Sequence, residues 1–146
     1  MKKVLCFLVF ATTIVSCKKD VLEFNAFTIT NGHAETGLIV DADGTVNEGK
    51  DDQVTLGRDG VIKDKEGKEI ARLKENNELV DENGKKIAEI DKDGTIKKDS
   101  TVLRWTDKGE LMSDLNTSYG LYIEPADKKS YQAASTIMCY YLNTVK

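Results

Sequence analysis

The chain has 146 residues, with 21 Lys and Arg against 25 Asp and Glu and a formal net charge of -4. That length fits one domain and excludes a large multidomain enzyme. The acidic balance argues against a nucleic-acid partner, since phosphate neutralisation needs a basic patch, and the recurrence of Val, Ile and Leu excludes a disordered chain.

Residues 1–16 read as a signal peptide. Lys2 and Lys3 form a positive n-region, followed by an apolar stretch from Val4 to Phe10. This stretch is too short to span a bilayer, which needs about 20 apolar residues. The segment Ile14-Val15-Ser16-Cys17 resembles a bacterial lipoprotein box, with a small Ser before the cleavage point. The resemblance implies that Cys17 is lipidated and becomes the mature N-terminus. Lys18-Lys19-Asp20 after it is similar to the spacing in lipoproteins of the Bacteroidota. The protein is therefore expected in the cell envelope, with the outer membrane favoured over the inner. The alternative is an ordinary secretory signal that leaves Cys17 as a free thiol. Cleavage before Cys17 also discards Cys6. With Cys17 lipidated, Cys139 is the last thiol, and no intramolecular disulfide can form. Residues 17–25 read as a tether and 26–146 as a single domain.

Phe27 and Ile29 alternate around Thr28 and predict a short strand, and His33, the single histidine, falls in a turn at Asn31-Gly32-His33. From there an internal repeat organises the chain. A turn position recurs every 15 to 17 residues at Gly44, Gly60, Asn77, Gly94 and Gly109. Four residues before each stand Val40, Leu56, Leu73, Ile90 and Trp105. Two residues after stand Val46, Ile62, Leu79, Ile96 and Leu111. Six before stand Leu38, Val54, Ala71, Ala88 and Leu103. Every one of these positions is apolar in a region dense with Lys, Asp and Glu.

Each unit predicts a β-hairpin. In Ile90-Asp91-Lys92-Asp93-Gly94-Thr95-Ile96, a three-residue loop with a left-handed Gly94 pairs Asp91 with Thr95 and Ile90 with Ile96. A two-residue loop would set Asp91 against Ile96, polar against apolar. Asn77 suits the same position because Asn tolerates the left-handed region. Links between units carry turn signatures at Asp64 to Gly67 and Asp81 to Gly84, a shorter one at Lys98-Asp99-Ser100, and an irregular one from Asn47 to Gln53. A lone hairpin cannot stand by itself, so the five must share a core.

The phrases GVIKDKEGKEIARL, ELVDENGKKIAEI and DKDGTIKKDSTVLRW resemble the five-fold beta-flower proteins of gut and related Bacteroidota. The likeness covers roughly Gly37 to Met112. It implies an all-β fold of five repeated β-hairpins around a pseudo-five-fold axis, and it assigns no chemistry to any residue. Ala71 and Ala88 depart from the family pattern, which often places Gly-Tyr-type residues after these positions, and the repeat spacing drifts.

After the repeats, Ser118 to Pro125 predicts a last strand. Lys129 to Leu142 forms a C-terminal cap. Tyr131, Ala134, Met138 and Tyr141 fall at helical spacing, while Thr136 to Leu142 also suits a strand.

Candidate sites read as structural. Glu89 to Ile96 matches the start of a calcium loop, but Ser100 stands where the bidentate Glu belongs. Asp41 and Asp43 meet Lys50 at the same place. His33 has no adjacent nucleophile motif, and no His/Cys metal spacing occurs. Trp105 occupies a core column rather than a sugar-stacking surface.

The sequence thus predicts a non-catalytic, lipid-anchored module that binds or supports, with the membrane as partner through Cys17 and a protein or glycan as a further ligand. No catalytic, cofactor-binding or metal residue is assigned. Two alternatives stand beside it. A small glycan hydrolase would need paired carboxylates converging in a cleft, and a membrane-anchored immunity or inhibitor protein would bind a toxin.

Overall fold

A computed structural model describes residues 19–32, 37–47 and 53–144. Twelve antiparallel strands close into a barrel. In chain order they are β1 (Phe27–Thr30), β2 (Leu38–Val40), β3 (Thr45–Asn47), β4 (Val54–Leu56), β5 (Val61–Lys63) and β6 (Glu69–Leu73). There follow β7 (Glu78–Asp81), β8 (Lys86–Ile90), β9 (Ile96–Lys98), β10 (Thr101–Trp105), β11 (Glu110–Ser113) and β12 (Ser118–Glu124). A 3-10 turn at Lys128–Ser130 leads into a helix, α1 (Tyr131–Thr144). The C-terminal cap is therefore helical, and the strand alternative for 136–142 is not adopted.

Strand order follows sequence order around the ring, and β12 closes on β1 with Ile123 opposite Ile29. Closure leaves no unpaired edge to template aggregation. Five hairpins alone would supply ten strands; the chain's two flanks, β1 and β12, form the remaining pair.

The repeat columns become one inward belt. Within hairpins the register pairs Val40 with Val46, Leu56 with Ile62, Leu73 with Leu79, Ile90 with Ile96 and Trp105 with Leu111. Between hairpins Val46 meets Val54, Ile62 meets Ala71, Leu79 meets Ala88, and Ile96 meets Leu103. Because side chains alternate along a strand, this register sends the apolar set inward and the charges outward. On the outer face, Glu78 bridges Lys74 and Lys86, and Glu89 lies between Lys86 and Lys97. That is the reverse of a membrane-spanning barrel, whose outer band is apolar.

Antiparallel alternation puts all five repeat turns at one end of the barrel and the links at the other. After β12 the chain is at the turn end, so α1 starts there and runs through the interior. Nine successive residues, Tyr131 to Cys139, are buried. A helix buried on every face must be surrounded, and here the surround is the barrel. Its closest strand is β8, whose inward residue midway is Ala88; the small side chains of Ala88, Ala133 and Ala134 permit that approach.

The stretch read as a tether enters the described residues at Lys19. Val21 to Asn25 lie across the turn end of the barrel, with Leu22 and Phe24 buried in the core. Sequence alone did not reveal this because Val21, Leu22 and Phe24 form too short an apolar run to establish a period. Cys17 and the rest of 1–18, His33, and 48–52 in the first link lie outside the described residues.

Candidate functional site

Gly44, Gly60, Asn77, Gly94 and Gly109 all occupy the left-handed position of their turns, with φ of 90°, 81°, 69°, 82° and 80°. The turn geometry repeats. Asp91 N–H donates to Thr95 O at 2.9 Å, and Gly94 N–H donates to Asp91 O at 2.9 Å. In the units at Gly44, Gly60 and Asn77 the turn residue's carbonyl then accepts from the following unit, from Leu56, Leu73 and Ile90 respectively. A Cβ on Gly44 or Gly60 would collide with the carbonyl oxygen of Leu56 or Leu73. These are fold positions, and they carry no chemistry. The calcium-like acids are engaged otherwise: Asp93 Oδ1 accepts from Thr95 N–H at 2.9 Å, and Asp91 pairs with Lys97 at 2.8 Å. No group of three or more His, Cys, Asp or Glu able to hold a metal occurs among the described residues.

The turn end is sealed from two directions. Arg58 O accepts from Val21 N–H at 2.7 Å and from Leu22 N–H at 2.8 Å. Its guanidinium stacks 4.4 Å from the Phe24 ring centroid and donates to Phe24 O and Ala42 O at 3.0 and 3.2 Å. Lys92 Nζ donates to Val21 O at 2.9 Å. From the C-terminal side, Asn25 N–H donates to Ser130 Oγ and Asn25 Nδ2 to Asp127. The helix then reaches three successive turns. Gln132 Nε2 donates to Asn77 Oδ1 at 3.4 Å and to Ile90 O at 3.1 Å, Ser135 Oγ to Gly94 O at 2.6 Å, and Tyr131 Oη to Thr106 O at 2.9 Å. Sequence reasoning missed Arg58, Gln132 and Ser135, because a polar residue in a turn or helix gives no sign that its partner is distant.

Two hollows deserve chemical comparison. The first, of about 200 Å³, lies at the turn end and is lined by Asp93, Arg104, Trp105, Asp107, Lys128 and Tyr131, among others. Two carboxylates share it, as they also do in two more open hollows, lined by Asp59 with Glu75 and by Asp20 with Asp59, so it is one place where a paired-acid mechanism would be sought. Asp107, however, is held below the usual carboxylate range by its hydrogen bond and 2.6 Å ion pair with Lys128. Partial burial acts to raise Asp93, but hydrogen bonds from Thr95 outweigh it and leave the carboxyl lowered. A general acid needs a raised pKa, and both groups move the other way. Trp105 itself is 8% exposed and belongs to the core.

The second hollow opens at the link end beside the C-terminus of α1. It measures about 190 Å³, and Ile87, Ile96, Leu103, Met138 and Leu142 give it aliphatic and thioether walls. Tyr119 and Leu142 stand at its mouth, 50% and 64% exposed. Lys98, Asp99 and Thr101 form the polar margin. Ile87 is buried here although Ala88 beside it also faces inward, because a bulge in β8 skips Ile87 in the pairing with β7. Cys139 lies at the back, and burial pushes its thiol up to about 12, against the opposing charge of Lys98. A thiol so held is inert as a nucleophile.

Fold and surface together define a closed antiparallel β-barrel threaded by a helix, sealed at one end and bearing an apolar crevice at the other. No protein-family model matches the chain, and no curated protein or solved structure matches it.

Proposed function

We propose that the protein is a non-catalytic, lipid-anchored module of the bacterial envelope that binds an apolar ligand at its link-end crevice. The observation that carries the binding reading is the crevice itself, the place where the aliphatic interior opens between α1 and β8 to β10. Its aliphatic walls suit a hydrocarbon segment of roughly six to eight carbons, and Lys98 at the margin suits an anionic head. The one aromatic ring, Tyr119, stands at the mouth and leaves the inner walls aliphatic. Against hydrolysis stand the lowered carboxyls of Asp93 and Asp107. The lipid anchor rests on the lipoprotein box ending in Cys17. The ten repeat strands derive from one hairpin unit, in the pseudo-five-fold pattern that the beta-flower resemblance implies, with the chain's flanks completing the ring.

Two measurements test this. Cells expressing the full chain and fed an alkyne-tagged palmitate should label the wild type and not Cys17→Ser, and only the wild type should fractionate with membranes. Octanoate titrated into the mature protein should shift the methyl resonances of Leu103, Met138 and Leu142. Leu103→Trp, which fills the crevice, should abolish those shifts at Met138 and Leu142. Membrane partition of Cys17→Ser would remove the anchor; unmoved methyls at millimolar octanoate would remove the crevice as a binding site.

A further inference from the structure

We infer that the barrel stands on the membrane with its repeat turns against the lipid headgroups and its crevice facing away, an orientation that rests on lipidation at Cys17. Where the chain is first fastened decides this. Val21 and Leu22 are bonded to Arg58 O, Lys92 reaches Val21 O, and Leu22 and Phe24 are buried beneath the turns. All of these contacts are at the turn end. From Cys17 to Val21 is four residues, which span at most about 14 Å even when fully extended. The lipidated sulfur sits at headgroup level, so the turn end lies within that distance of the bilayer.

The opposite end is a helix length further out. The 14 residues of α1 run from turn end to link end and span about 21 Å. Tyr131 and Trp105 mark the near end, Met138 and Leu142 the far one. A long tether would let the barrel tumble, whereas one shorter than the barrel itself restricts it. The turn end offers no strong electrostatic attraction of its own. Its basic side chains, among them Lys19, Arg58, Lys74, Lys92, Lys108 and Lys128, are interspersed with Asp20, Asp41, Asp59, Glu75, Asp93 and Asp107. The lipid and its short spacer therefore set the orientation. The bilayer then covers the sealed face, and the crevice stays open to ligand or partner on the side away from that membrane.

The test uses the lipidated mature protein in phosphatidylcholine vesicles that carry a headgroup energy acceptor. Single donor labels are placed at Lys108→Cys, at the turn end, or Asn83→Cys, at the link end; Cys139 is buried and does not compete. Transfer from the turn-end label should exceed that from the link-end label by about threefold or more, given the ~21 Å separation of the ends. Equal transfer, or transfer greater from Asn83→Cys, overturns the orientation while leaving lipidation intact. A second variant inserts a Gly/Ser spacer of about 20 residues after Lys18, giving a mean reach near 25 Å. It should still partition with vesicles but lose the contrast between labels. A contrast that survives the spacer overturns the tether as its cause. Wild-type protein that fails to partition better than Cys17→Ser removes the anchor itself and the orientation with it.

Discussion

Trp105 Nε1–H donates to Ser135 Oγ at 2.8 Å, and Ser135 Oγ in turn donates to the carbonyl of Gly94 at 2.6 Å. This relay ties the threaded helix to a strand and to a repeat turn at one point. It also explains how a Ser can be fully buried mid-helix, since the hydroxyl is both acceptor and donor. Ser135→Ala strands an indole N–H and a backbone carbonyl without solvent. The expected loss is about 1–3 kcal/mol, read as a lowered denaturation midpoint with unchanged slope. Trp105 emission should report the same transition as far-ultraviolet circular dichroism.

Glycines of the two turn sets should differ in tolerance. Gly60 and Gly67 both have φ near +80°, so alanine at either bears the left-handed penalty of about 1–2 kcal/mol. At Gly60 the new Cβ also meets the carbonyl of Leu73, whereas Gly67 opens to empty space. Gly60→Ala should therefore cost clearly more than Gly67→Ala, by at least about 1 kcal/mol. Equal midpoints in urea would contradict the packing of successive units through the repeat glycines.

The seal at the turn end predicts that residues 21–25 stabilise the barrel. Phe24→Ala removes a buried ring and the stacking partner of Arg58, with an expected loss of about 3–5 kcal/mol. If these residues were a free spacer, the substitution would leave the thermal midpoint unmoved.

Cys139 gives a pH dependence. Its thiol is pushed from 9.0 to about 12 by burial, so the folded state holds the proton that the unfolded chain releases. The contribution is intact below pH 9 and is lost as pH rises from 9 towards 12. At pH 10 the loss is about 1.4 kcal/mol. Cys139→Ala should flatten the alkaline limb of stability against pH. In residues 17–146 carrying Cys17→Ser, where Cys139 is the one thiol, a maleimide should react only at the unfolding rate.

Much of the barrel was legible in the repeat. An alternating strand has one buried face, and the register that keeps apolar residues on it left a single choice of loop. Gly60 and Gly94 marked the turns, and Ile90 opposite Ile96 followed from the loop length. Ring size was not legible, because nothing local says that β1 and β12 meet; their pairing is a contact between the two flanks of the chain. The crevice escaped for the same reason. Ile87, Leu103 and Met138 come from three elements and look like ordinary core residues in each.

The composition was already that of one charged, mildly acidic domain, and the likeness of residues 14–17 to a lipoprotein box and the repeat period stood in the sequence by themselves. Both are local signals, short enough for neighbouring residues to specify. The tertiary structure alone decided that twelve strands close the ring, that the C-terminal segment threads it as a helix, and that the supposed tether seals one end. Each of these depends on burial of surfaces far apart in the chain. Ser135 and Gln132 find their partners only inside the barrel, and Leu22 and Phe24 become core residues only once there is a barrel end for them to close.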